Sequence, residues 1–160
     1  MATELEDLKI LQTAEAIADA VWKQVVEWDE FARDVVGKQL TRATDSIGAN
    51  IAESYGRFNY GEKLQFLYYS RGSLFETKYW LNRALARKLM QSEEVKEYAA
   101  RLSDVARQLN SFAGSLKSQR KNDKNQPKSI REPTAEYVTG GQRDDPIHLF
   151  SENEFTWLES

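Results

Sequence analysis

Apolar residues recur along most of this chain at alternating steps of three and four, the spacing that places side chains on one face of an α-helix. Leu8, Leu11, Ala14, Ala18, Val21, Val25 and Trp28 form the first such stripe, with no Pro or Gly among them. They predict an amphipathic helix from Leu5 to about Trp28. Ile10, Ile17 and Trp22 widen the stripe, so this helix is expected to touch more than one neighbour. The polar run Asp29-Glu30-Phe31-Ala32-Arg33-Asp34 reads as a turn, with Asp34 as the N-cap of a second helix over Val35 to Tyr55. Gly56-Arg57-Phe58-Asn59-Tyr60-Gly61 then supplies the material of a helix stop and a tight turn.

A third helix is predicted from Glu62 to Met90, with Leu67, Ser70, Leu74, Thr77, Leu81 and Ala84 on its core face. Its other faces carry Phe66, Tyr68, Tyr69, Phe75, Tyr79 and Trp80, more aromatic surface than one core takes up. A helix that is apolar on several sides is normally buried on several sides. Phe66, Tyr68, Phe75, Tyr79 and Trp80 are therefore candidates for a subunit interface. Ser92, followed by Glu93 and Glu94, reads as the N-cap of a fourth helix, with acidic residues where the helix dipole favours them. Val95, Tyr98, Leu102, Val105, Leu109, Phe112 and Leu116 repeat there at heptad spacing beside Ala99, Ala106 and Ala113. That alanine column admits a close helix, and the fourth helix is expected to end near Ser118.

Four helices joined by short loops make an all-α chain, an antiparallel up-down-up-down four-helix bundle over residues 1–119. Residues 120–160 are expected to be a polar, largely disordered tail, broken by Pro127, Pro133 and Pro146. Its last stretch differs, since Phe150, Phe155, Trp157 and Leu158 gather apolar mass in a segment too short to fold alone. These four are candidates for docking on a protein partner or an adjacent subunit.

Composition narrows the function. The chain of 160 residues is 41% hydrophobic and 29% charged, enough for one domain with a real core. No apolar run approaches the roughly 20 residues that cross a bilayer, and the acidic start is unlike a signal peptide, so a cytoplasmic protein with no membrane association is expected. Without Cys there is no disulfide, thiolate nucleophile or cysteine metal site. The single His, His148, lies in the tail, which removes the Ser-His arrangement, a histidine zinc site and the Glu-x-x-His pairs of di-iron bundles. The glycines assemble no phosphate loop. No catalytic residue, cofactor or metal is expected, and the chain reads as a non-enzyme.

The stretch Ala43 to Arg57 carries the most specific polar pattern. Leu40, Ala43, Ile47, Asn50 and Ser54 share a helix face, which puts an amide where a core residue is expected. Buried amides of this kind specify register or pairing at some loss of stability. Glu53 and Arg57 stand four apart and can pair along the surface. Asn50, Glu53, Arg57 and Glu76 are read as a structural polar cluster that ties the second helix to its neighbours.

Ser46-Ile47, Asn50-Ile51-Ala52-Glu53, Gly56-Arg57, Phe66-Leu67 and Gly72-Ser73-x-x-Glu76, taken in order, resemble the small four-helix proteins encoded in intervening sequences of bacterial 23S rRNA genes. The accessory proteins of diversity-generating retroelements are similar. The resemblance covers roughly residues 5–119, with Ser54 where that family usually has Gly. It implies a ring of bundles, typically a homopentamer. It also implies a nucleic-acid link, because the retroelement members bind a reverse transcriptase and its RNA template through basic surface. Those relatives are markedly basic, whereas this chain has a net charge of -3. Any basic surface here must be a local patch, with Arg42, Arg71, Lys78, Arg83, Arg87 and Lys88 as its candidates. Two readings follow, a non-enzymatic oligomeric scaffold and an accessory protein for RNA or a reverse transcriptase.

Overall fold

The computed structural model describes residues 4–124, and every regular element among them is helical. A single 3-10 turn, Leu5–Asp7, is separated from α1 (Lys9–Val25) by Leu8, whose ψ of 111° interrupts the helix. After a turn at residues 26–29, one helical turn, Glu30–Ala32, and a π-helical turn, Arg33–Gly37, run straight into α2 (Lys38–Gly56). Next come α3 (Tyr60–Ala86) and α4 (Ser92–Lys124).

Cross-helix contacts fix the directions. On α2 and α3 the bonded pairs are Ile47 with Ser70 and Ser54 with Lys63, so seven residues forward on one helix is seven back on the other. On α1 and α4 they are Thr13 with Gln108 and Gln24 with Tyr98, which again run in opposite senses. Gly48 sits against Leu11 and Ala14, and Gly37 against Val25, so α1 and α2 are antiparallel as well. Each helix packs on its sequence neighbours and α1 closes on α4, giving the up-down-up-down bundle.

The core follows the stripes. Leu67, Ser70, Leu74, Thr77, Leu81 and Ala84 are all buried on α3, and all three residues of the alanine column on α4 are buried. Of the α4 heptad positions only Phe112 is left half-buried. The buried hydroxyls are satisfied: Thr44 donates to Leu40 O, Thr77 to Ser73 O and Ser103 to Ala99 O. A buried polar group left unpaired would cost about 1–3 kcal/mol, so these bonds are what permits Ser and Thr in the stripe.

Several local expectations are corrected. The N-cap at the start of the second helical run is Asp29, whose Oδ1 accepts from Ala32 N, and Asp34 lies inside the π turn. Gly37 explains why that turn packs so closely on α1: a Cβ there would lie 2.5 Å from Val25 Cγ1. The first helix ends at Val25, short of Trp28, and Trp22 is 58% exposed where the pattern had it touching a neighbouring helix. α3 ends at Ala86, short of Met90, because Lys88 adopts φ 58°. Leu89 N then donates to Ala84 O and Lys88 N to Leu85 O, the two bonds of a Schellman stop. The cap of α4 is Gln91, whose N–H is taken by Glu94 Oε2 and whose carbonyl accepts from Val95 N, so Ser92 is inside the helix. α4 continues six residues beyond Ser118, to Lys124. Phe150, Phe155, Trp157, Leu158 and the tail expected over residues 125–160 lie outside the described residues.

Candidate functional site

The α2–α3 hairpin gathers the polar residues singled out in the sequence. At the core of its seam, Ser70 Oγ donates to Ile47 O and Ser54 Oγ to Lys63 O, each at 2.8 Å. Small side chains at these two points let the backbones approach, and the hydroxyls then reach across to main-chain oxygens. That gives Ser54 a bond that Gly at this position could not make. Lys63 Nζ folds back onto the end of α2, donating to Tyr55 O at 3.1 Å and Ser54 O at 3.4 Å. A cation there answers the negative end of the helix dipole. Burial pushes the Lys63 ammonium below its ordinary range.

Asn50 lies beside the core stripe, half-buried, and Ile51 takes the fully buried position. Its Nδ2 donates to Ser46 O at 2.8 Å and reaches Ser73 Oγ on α3 at 3.5 Å. Glu53 and Arg57 form the expected ion pair, and the Arg57 guanidinium stands 4.7 Å from the centre of the Phe66 ring. The bonds of Asn50, Glu53 and Arg57 do not run to Glu76, which is exposed further along α3. The four residues are thus not one cluster: Asn50 ties α2 to Ser73, and separately, on the outer edge of the hairpin, the Glu53–Arg57 pair leans on Phe66. An open hollow of about 530 Å³ beside it is lined by Ala49, Ala52, Gly56 and Phe58 together with the Glu53–Arg57 pair.

The interface candidates on α3 divide. Tyr68 and Trp80 pack against the core and Phe66 is half-buried, whereas Phe75 and Tyr79 are exposed, Tyr79 to 55%. Trp80 holds Tyr79 edge-on at 5.1 Å between ring centres. The basic candidates divide as well. Arg71 and Arg83 lie 5.9 Å from the ring centres of Phe75 and Tyr79, within cation–π range. Arg87 and Lys88 are exposed at the end of α3, and Lys78 lies on α3 between Arg71 and Arg83, while Arg42 stands apart on α2. Residues 69–88 carry five cations against the one carboxylate of Glu76.

A second apolar surface was not legible as such. Trp22 with Val26, and Phe31 with Val35, are pairs four residues apart on either side of the α1–α2 turn. All four are exposed, Phe31 to 78%. The sequence signal was present, since Trp22 exceeded the minimal stripe and Phe31 was an aromatic in a polar run, but each was assigned elsewhere. Between α1 and α2 runs a shallow groove of about 270 Å³, floored by Ala14, Ala18, Gly48 and Ala49 and edged by Asp19 and Asp45. Burial and then the Asp19 charge raise the Asp45 carboxyl above its ordinary range.

No group of three or more His, Cys, Asp and Glu residues able to hold a metal occurs among the described residues. No described helix is long and apolar enough to cross a membrane. Compared with known families, residues 6–111 match the model of the 23S rRNA-intervening sequence protein. No curated protein matches the chain.

Proposed function

The chain belongs to the 23S rRNA-intervening sequence protein family, and from that premise we propose that it acts without catalysis, as a cytoplasmic scaffold whose bundles assemble with one another into a ring. The observation that carries this reading is apolar surface left over once one core is complete. Trp22, Val26, Phe31 and Val35 stand exposed at the α1–α2 end, and Tyr69, Phe75 and Tyr79 on α3. Large aromatics gathered on a surface mark protein contacts, and Trp and Tyr dominate the energetics of such contacts. The five-subunit ring is what the family resemblance implies. Replacing both Trp22 and Phe31 by Glu tests the reading, because neither side chain fills the core. The variant should keep its helicity by circular dichroism and lose mass by light scattering. An assembly of unchanged mass would place the subunit contact elsewhere.

A second reading is favoured by the local charge of α3 and its C-terminal stop, which carry Arg71, Lys78, Arg83, Arg87 and Lys88. It makes the bundle an accessory protein for structured RNA or for a reverse transcriptase. Phosphate contacts release counterions, so affinity for a structured RNA should fall steeply between about 50 and 200 mM salt. Affinity that ignores salt would count against it.

A further inference from the structure

Along α3 and onto its C-cap, Arg71, Phe75, Tyr79, Arg83 and Arg87 follow one another at steps of four, a ridge that winds part-way around the helix. Its aromatic middle is exposed, and the Arg71 and Arg83 guanidinium groups stand 5.9 Å from the ring centres of Phe75 and Tyr79. Arg83 Nε is shielded from solvent and meets no hydrogen-bond acceptor among the described residues. The same chain contains a segment of matching pattern. Residues 147–160 hold Phe150, Phe155, Trp157 and Leu158 with Glu152, Glu154 and Glu159, and no Lys or Arg. In the ridge, cations flank two aromatics; in the segment, carboxylates flank two aromatics.

Reach is consistent with the match. α4 runs antiparallel to α3 and leaves Lys124 at the end where α3 begins. At about 1.5 Å per residue, Tyr79 lies roughly 30–40 Å back along the bundle from that point. The 22 residues from 125 to 146 can span up to about 70 Å. Tethering makes docking intramolecular, with an effective concentration that no free peptide would have.

We propose that residues 147–160 dock on the α3 ridge of their own chain, Phe155 and Trp157 against Phe75 and Tyr79, with Glu152, Glu154 and Glu159 facing Arg71, Arg83 and Arg87. The docked segment covers the aromatic part of α3 and leaves the α1–α2 end as the surface open to a second subunit. This deepens the scaffold reading but does not need the ring, since docking takes place within each chain.

The test uses the full chain, prepared as an equal mixture of nitrogen-14 and nitrogen-15 protein and treated with a zero-length carbodiimide cross-linker. Lys78 and Lys88 should link to Glu152, Glu154 or Glu159, in peptides of a single isotope. The double substitution Arg71→Glu with Arg83→Glu should lower the yield by about tenfold. Adding Glu154→Arg and Glu159→Arg should restore docking, read as a matching recovery of the Lys78–Glu152 link. Absence of these links in the unmodified chain would overturn the proposal, as would links found in mixed-isotope peptides as often as in single-isotope ones, which would assign the ridge to a neighbour's segment. Links from Lys78 to Asp19 or Asp45 would give the ridge to another subunit's α1–α2 groove and overturn it equally. Native mass of the same sample reports assembly separately, so a monomer with same-isotope links would end the ring reading and leave docking intact.

Discussion

The Ser70 hydroxyl donates to the Ile47 carbonyl at 2.8 Å, between two fully buried positions on helices that touch along their length. Seven residues away along each helix, Ser54 repeats the arrangement in reverse, donating from α2 to the Lys63 carbonyl on α3. The pair of bonds sets both the spacing and the register of the hairpin.

Removing either hydroxyl should loosen that seam by a measurable amount. Ser70→Ala should cost about 1 kcal/mol, the usual net worth of one buried hydrogen bond. Ser54→Gly should cost about 2 kcal/mol, since it also puts Gly inside a helix. Ser70→Leu should cost more than Ser70→Ala, because the helices have no room for it. Urea unfolding with a constant m-value checks the order; equal stability of all four proteins would mean that the seam is not held by these contacts.

Gly37 carries the close approach of the π turn to α1. Gly37→Ala should destabilise by about 1–3 kcal/mol, because the new methyl meets Val25 Cγ1 at 2.5 Å. The double variant with Val25→Ala should lose less than the sum of the two single variants, as neighbouring substitutions couple. Strict additivity in a thermal-melt cycle would show that the contact is relieved some other way.

Lys88 sits in the left-handed region at φ 58°, which costs a side-chain-bearing residue roughly 1–2 kcal/mol. Lys88→Gly should therefore raise stability by about 1 kcal/mol while leaving the α3 stop in place. A melting temperature that falls would mean that the lysine side chain contributes more than its backbone costs.

Asp45 gives a pH signature. Its carboxyl is raised above the ordinary 3.8 by burial first and by Asp19 second. The folded chain therefore holds this proton more tightly than the unfolded chain does. The corresponding stability is fully present below 3.8 and is lost as pH rises through the folded value. Asp19→Asn should move the Asp45 midpoint down without returning it to 3.8, because burial remains. Carbon-13 carboxyl titration by NMR reads this directly, and an unmoved midpoint would leave burial as the single cause.

Where packing follows one helical period, the pattern of residues carried the fold: all six core positions of α3 and the alanine column of α4 are where the spacing puts them. It failed where another geometry intervenes. The π turn at Arg33–Gly37 shifts the phase between Ala32 and Lys38, so Asp34 resembled a cap and Phe31 looked like loop material. Asn50 was placed in the core because a step of three from Ile47 is as good as a step of four, and only the facing helix decides for Ile51. Lys88 gave no signal because Schellman stops favour Gly. The Glu53–Arg57 pair was readable as a local contact, whereas the bonds of Ser54 and Ser70 depend on a helix that sequence spacing does not place opposite them.

Native mass spectrometry of the full chain at low micromolar concentration distinguishes self-assembly through the surface left over from a single core from a bundle that stands alone. A closed assembly of more than two chains is expected, with five as the expected number, that falls apart when Trp22 and Phe31 become Glu. A monomer throughout that range would contradict it.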